Sequence, residues 1–253
     1  MSIYINGLLW VTGAALAAAC VAYLIRRIGA TEGTVENNEA AGQVFTLVGG
    51  LQAVLVAFVL ISLFDGASAA EDGSYTEADG LVAAVWAADS MPDGDRARIT
   101  DQARAYARTV IADEWPRMRD GRPVGEKGWN ELSDLRRMVA DAPAADDWTI
   151  DQKSEASDQL WSAYQARQTR LNTVTDGGVN SVVWFALVAG AVMSLALPLL
   201  FGGPRPLTHI LIVSTLAATM TLLLFATQQL QNPYSGGAEV RPAAFQSALD
   251  RLR

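Results

Sequence analysis

The chain has one cysteine, Cys20, and one histidine, His209, among its 253 residues. A single cysteine excludes a disulfide within the chain, and a single histidine excludes a metal site built from several histidines. Basic residues are also scarce, because 19 Lys and Arg stand against 27 Asp and Glu, for a net charge of −8. Nucleic acid is therefore not an expected partner, since its phosphates require a basic surface.

Charged residues are absent from four long apolar stretches, at residues 7–25, 44–64, 179–201 and 207–230. A transmembrane helix needs about 20 mostly apolar residues. The sequence therefore predicts four spans and a multi-pass membrane protein whose surroundings are a lipid bilayer. No basic residue precedes the first span, so we expect a retained helix rather than a cleaved signal peptide.

The middle of the chain, residues 66–178, carries most of the charge and reads as helical throughout. No proline follows the second span before residue 92, so we expect that span to continue into water as one long helix. The prediction is an all-α fold with four transmembrane helices and a helical, water-facing domain inserted between the second and third spans. The predicted parts are 1–65, the acidic domain 66–178, the second transmembrane pair 179–230 and a C-terminal tail 231–253.

Motifs for enzyme chemistry are missing from the sequence. It has no Ser-His-Asp set, no glycine-rich phosphate loop and no metal-ligand spacing. We therefore predict no enzyme activity, no cofactor and no metal site. The distinctive run DEWPRMRDG, residues 113–121, is interpreted as a helix end with a packed tryptophan, Trp115. The other charges of the domain are interpreted as solvated helix faces, with pairs such as Asp134 and Arg137 at i,i+3.

The second span carries two different stripes. Gln43, Leu47 and Leu51 follow one another at i+4 spacing, and an apolar stripe facing a symmetry axis can form a constriction that gates by dewetting. The same leucines could instead face lipid, and spacing alone leaves both interpretations open. Gly49, Gly50 and Ala53 form a second stripe, whose small side chains permit close helix packing in a membrane.

Acidic residues follow the second span at Asp65, Glu71 and Asp72, and again at Glu77 and Asp79. Around a pore mouth, rings of such carboxylates would attract cations and repel anions. An ordinary solvated helix face accounts for the same residues, so this alternative also stays open.

Four segments resemble the bacterial bestrophin-like family. They are ENNEAAGQVFTLVGGLQAVLVAFVLISLFDG (36–66), DEWPRM (113–118), PRPLTHILIVSTLA (204–217) and QNPYSGG (231–237). The resemblance implies a pentameric, mostly anion-conducting channel of the bacterial plasma membrane, in which the second helix lines the pore and narrows at an apolar neck. Superposing the segments puts Gln43, Leu47 and Leu51 at the neck positions, although the family's bulky aromatic neck residues are absent. The family's calcium clasp is not expected, because the stretch directly after the Asn232-Pro233-Tyr234 turn, residues 235–239, has a single acid, Glu239, where the family has an acidic run.

The sequence is compatible with two functions. The first is a homo-oligomeric ion channel whose partners are further copies of the chain and a permeant inorganic ion. The second is a non-conducting membrane scaffold whose acidic helical domain recruits a partner protein. Orientation also stays open, because basic residues in the two short loops favour an outward-facing domain, whereas the resemblance implies a cytoplasmic one.

Overall fold

A computed structural model describes residues 3–28, 38–176, 178–199 and 206–253 of the chain. These residues are almost entirely helical, and no strand occurs among them. The predicted all-α fold class is thereby confirmed. The helices in chain order are α1 Ile3–Ile28, α2 Asn38–Ala87, α3 Asp93–Thr109, α4 Trp115–Arg119, α5 Lys127–Asp141, α6 Asp147–Asp176, α7 Ser181–Leu199, α8 Pro206–Leu230 and α9 Ala243–Arg251.

In the part of the chain that the structure describes, four helices are long and apolar enough to cross a membrane. The qualifying stretches are Ile3–Ile25 in α1, Gly42–Ser90 in α2 and the 3-10 turn that follows it, Ser181–Pro198 in α7 and Leu207–Leu230 in α8. These are the four predicted spans, although residues 200 and 201 of the predicted third span lie outside the described part of the chain. The continuation of the second span is also confirmed, since α2 runs for 50 residues without a break. At about 1.5 Å per residue, such a helix is far longer than a bilayer is thick.

The chain divides into two compact units, and unit 1 comprises Met1–Phe64 and Gly178–Gln231. Within it α1 packs along α8, where Gly7 lies so close to the Phe225 ring that a Cβ would stand 2.7 Å from it. Small residues permit this close approach of helices in lipid. The first part of α2 packs through buried valines and a leucine onto α7 and α8.

Unit 2 comprises Asp65–Gly177 and Asn232–Arg253. Its core contains the residues that helical spacing predicts to be buried in the middle segment: Leu81, Val82, Val85, Ile99, Tyr106, Val110, Leu132, Leu135 and Val139. Helical spacing also groups Trp86 with Leu81, Val82 and Val85, but Trp86 is 57% exposed, so this expectation is wrong. At about 100° of rotation per residue, Trp86 lies about 40° beyond Val82, on the side away from Leu81 and Val85, and so falls at the edge of the apolar face.

The C-terminal residues Asn232–Arg253 belong to unit 2. Phe245 of α9 and Leu252, the residue after it, contribute to the core of this unit. The apolar residues Phe245, Ala248, Leu249 and Leu252 recur at i, i+3, i+4 and i+7, the spacing of an amphipathic helix.

Candidate functional site

Helix α2 has two different faces within unit 1. Gln52, Val56, Val59 and Leu63 are buried, and their spacing of i, i+4, i+7 and i+11 places them on one side of the helix. This side packs against Leu187 and its apolar neighbours on α7 and α8. The rotation of α2 within its own protomer is set by this contact.

A polar group strengthens the same contact. The amide nitrogen Nε2 of Gln52 donates a 2.9 Å hydrogen bond to the backbone carbonyl of Leu187 on α7. The Gln52 side chain lies directly against Gly190, where any Cβ would overlap it. Inside a bilayer an amide without a hydrogen-bond partner is costly, so this hydrogen bond is expected to be stable. Gly190 leaves room for the Gln52 side chain because it has no Cβ.

The proposed neck residues lie away from the buried face. Gln43 is exposed, and Leu47 and Leu51 are 68% and 73% exposed. Among the described residues, no helix covers these three side chains. Such exposure is expected both of a surface that lines a pore and of a surface that faces lipid. Of the small stripe, Gly50 and Ala53 are exposed, and Gly49 is half-buried. A Cβ at either glycine would meet no atom within 4 Å.

The acidic residues after the second span separate into two groups. Asp65, Glu71 and Asp72 are exposed, and none has an ion-pair partner in the described part of the chain. Glu77 is fully buried, and Asp79 is paired with Arg251 at 2.8 Å. Treating Glu77 as one of a series of solvated acids was therefore wrong.

Glu77 belongs to a closed ionic network in unit 2, formed by Glu77, Tyr106, Glu114, Arg167 and Arg170. All five side chains are at most 1% exposed. Arg170 binds Glu77 through Nε and Nη2, at 2.7 and 2.9 Å, and its Nη2 also reaches Glu114 at 2.9 Å. Arg167 makes a two-pronged contact with Glu114 at 2.8 and 2.6 Å. The Tyr106 hydroxyl donates to Glu77 and accepts from Arg167.

The charges of this network are matched, two carboxylates against two guanidinium groups. Burial raises the pKa of Glu114, but the hydrogen bond from Arg167 and the charges of both arginines outweigh it and lower that pKa below its ordinary value. Burial raises the pKa of Tyr106 well above its usual range, and the charge of Glu77 adds to the effect. Tyr106 therefore stays protonated and donates. Each member of the network thus has at least one other member as a hydrogen-bond partner.

The surroundings of the network are built to hold the arginines. Arg167 lies 4.5 Å above the ring centre of Trp129, and Arg170 lies 5.7 Å from that of Trp115, so the guanidinium groups gain cation–π attraction. Residues Val110–Glu114 form a π-helical turn, which is wider than an α-helical turn, and Glu114 is its last residue. Gly128 faces the Glu114–Arg167 pair, and a Cβ there would overlap the carboxylate.

Sequence reasoning missed this network, because charges on a helix are usually solvated. A signal was nevertheless present. On α6 the buried residues Ala156, Leu160, Ala163, Arg167 and Arg170 recur at alternating steps of four and three. Two arginines on an apolar stripe indicate burial with partners.

Two of the segments that carry the family resemblance meet in unit 2. Trp115, from DEWPRM, is buried and contacts Tyr234, from QNPYSGG, edge to face at 5.3 Å. The Asn232 amide donates to the carbonyl of Met118 at 3.0 Å. Burial raises the pKa of Tyr234 to about 12. The expectation of a helix end with a packed tryptophan is confirmed, since α4 ends at Arg119.

These features define a helical protein with four helices suited to span a membrane and a second unit with a charged core. The chain matches the model of the bestrophin-like domain over residues 12–245, and it belongs to that family. Two solved structures share the fold over 100% of this chain and 98% of theirs. One is a bacterial bestrophin homologue from Klebsiella pneumoniae with a leucine-to-threonine mutation, 12% identical with a TM-score of 0.70. The other is a membrane protein with a proline-to-alanine mutation, 13% identical with a TM-score of 0.69. A search of curated proteins found no significant match.

Proposed function

We propose that the chain assembles into a closed homo-oligomeric ring in a bacterial plasma membrane and conducts inorganic ions through a pore lined by α2. One observation carries the proposal: α2 is fixed to its own protomer by one face, while the side with Leu47 and Leu51 is left open. A ring of α2 helices turned in this way presents apolar side chains to a common axis. Membership in the bestrophin-like family supports the same arrangement.

The neck of this pore is formed by Gln43, Leu47 and Leu51. Rings of leucine exclude water from a narrow passage and so oppose ion entry, while the ring of Gln43 supplies an uncharged polar group at its end. The small residues Gly49, Gly50 and Ala53 then allow the helices of adjacent subunits to approach closely. Five subunits is the number that the family resemblance implies.

The selectivity of the pore depends on two opposing features. The family resemblance favours anions, whereas Asp65, Glu71 and Asp72 are exposed and have no ion-pair partner in the described residues. Carboxylates at a pore mouth concentrate cations. We propose that they bias the pore toward cations, so that Asp65→Asn and Asp72→Asn shift the reversal potential toward that of the anion in asymmetric salt.

Flux through purified protein in liposomes tests the neck. Leu47→Ala and Leu51→Ala are each expected to raise ion flux several-fold, because a wider constriction is more readily wetted. Leu211→Ala is the matched control: Leu211 lies on α8 with 67% exposure, close to that of Leu47. No flux from the wild-type oligomer, or an equal rise in the control, would contradict a pore on α2.

Native mass spectrometry in nanodiscs decides between the channel and the scaffold. A closed ring of several subunits permits an axial pore, and flux measurements then follow. A monomer or a dimer cannot enclose an axis with α2, and this result would favour the non-conducting scaffold with an acidic domain that recruits a partner.

A further inference from the structure

A cleft opens between α5 and α6 in unit 2. We call it the aromatic cleft; its volume is about 340 Å³, and it is lined by Leu132, Ser133, Arg136, Leu160, Trp161 and Tyr164. Leu132 and Leu160 are buried and form an apolar floor. Volumes of about 300–1,000 Å³ with apolar walls and few polar groups are typical of small-molecule sites.

Trp161 and Tyr164 line the aromatic cleft, and Trp129 extends them into a series of three rings. Trp161 and Tyr164 stack almost parallel, with centres 5.1 Å apart and planes inclined by 6°. Trp129 tilts against Tyr164 with a centre distance of 5.0 Å, and its own face carries the buried guanidinium of Arg167. The series is thus held rigidly from the inside, yet Trp161 remains 56% exposed at its outer end. A flat apolar group can stack on such a surface.

The rim of the aromatic cleft supplies charge. Arg136 is exposed and has no ion-pair partner among the described residues, whereas its neighbour Arg137 pairs with Asp134. The hydroxyl of Ser133, one turn earlier on α5, is also exposed and without a hydrogen-bond partner in the part of the chain described. A planar guanidinium prefers a carboxylate or phosphate, which it can bind through two parallel hydrogen bonds.

We propose that the aromatic cleft is a binding site for a small aromatic carboxylate. The flat body of the ligand stacks on Trp161 above the leucine floor, and its carboxylate binds Arg136 with Ser133 as a second donor. The chain as a whole carries a net negative charge. Arg136, which has no ion-pair partner among the described residues, nevertheless makes this cleft locally attractive to an anion. This inference does not depend on ion conduction.

Two probes of nearly equal shape test the site: indole-3-acetate, which carries the charge, and neutral indole-3-acetamide. Their binding to the full chain in nanodiscs is measured by equilibrium dialysis, with empty nanodiscs subtracted. We expect the acetate to bind at least about ten-fold more tightly, the lower end of the range for a hydrogen bond to a charged group. Arg136→Gln should abolish this difference, and Trp161→Leu should weaken both probes.

Matched controls are available on the same two helices. Arg137→Gln removes one charge from α5, and Trp148→Leu removes a 67% exposed tryptophan from α6; neither residue lines the cleft. Absence of saturable binding, equal affinities for the two probes, or equal losses in the controls would overturn the proposal. If the probes bound the monomer but not the oligomer, a second copy of the chain would cover the cleft in the assembly. This result would overturn the proposal as well. Since the readout is binding, a failed flux experiment leaves this result interpretable.

Discussion

In unit 1 the helices meet through apolar side chains, and the hydrogen bond from Gln52 to Leu187 is a polar contact among them. In unit 2 two arginines and two glutamates are buried together at the centre of the fold. Both interiors satisfy buried polar groups, but the first does so with a neutral amide and the second with full charges.

The difference reflects what each interior is built from. A charge inside a bilayer is costly, and an isolated charge buried in a protein is costly too. Unit 2 contains charges because each carboxylate has two or more donors and both guanidinium groups lie over aromatic rings. Such a network contributes less to net stability than its Coulomb energy indicates, but it is very sensitive to the loss of one member.

The largest expected effect comes from breaking the network on one side only. Arg170→Met removes both contacts to Glu77 and one to Glu114, leaving two buried carboxylates to share the single guanidinium of Arg167. We expect unit 2 to lose about 3–5 kcal/mol of stability, measured by thermal unfolding in nanodiscs with near-UV circular dichroism.

Arg98→Met is the control, because Arg98 pairs with Asp95 on the surface and should contribute at most about 1 kcal/mol. The double variant Arg170→Met/Glu77→Gln should regain part of the lost stability, since it removes the orphaned charge as well. Equal effects of Arg170→Met and Arg98→Met would show that burial does not distinguish these pairs.

The sequence allowed prediction of the parts of the fold that depend on long apolar runs. Four charge-free stretches indicate four spans, and the absence of proline after the second span indicates the long helix α2. The network depends on residues 29 to 93 positions apart in sequence, such as Tyr106 with Glu77 and Arg170 with Glu77. Periodicity within one helix can show that Arg167 and Arg170 are buried, but it cannot name their partners.

A smaller effect is expected from the polar contact in unit 1. Gln52→Leu removes the donor to the Leu187 carbonyl while keeping a side chain of similar length. Hydrogen bonds between membrane helices contribute on average about 0.6 kcal/mol, with a maximum of about 1.7, and we expect a loss in this range on unfolding by SDS in bicelles. Thr46→Val is the control, because its hydroxyl bonds only to the Gly42 carbonyl one turn earlier. If Gln52→Leu lowered the stability by several kcal/mol, the polar contact in unit 1 would be as important as the ionic network in unit 2, contrary to our expectation.

The candidate pore could be predicted only in part. Spacing placed Gln43, Leu47 and Leu51 on one stripe, but a stripe facing lipid has the same spacing as one facing a pore. The protomer adds that these residues lie off the face that packs on α7 and α8. In the proposed ring, the neighbour that covers them is a second copy of the chain, so this contact would be a property of the assembly rather than of any one chain.

The smallest expected effect concerns an ion pair of unit 2 that is not buried. Arg251 of α9 contacts Asp79 of α2 at 2.8 Å, with side chains 46% and 57% exposed. Water solvates both groups in the unfolded chain and largely in the folded one, so the pair should contribute about 0–1 kcal/mol. A double-mutant cycle with Arg251→Ala and Asp79→Ala, run at low salt and at about 1 M salt, measures this coupling, which salt should screen almost completely. A coupling above 2 kcal/mol that persists at high salt would mean that distance, and not burial, decides the strength of ion pairs in this unit. The expected outcome leaves Phe245 and Leu252, which are buried in the core, as the residues that hold α9 in place.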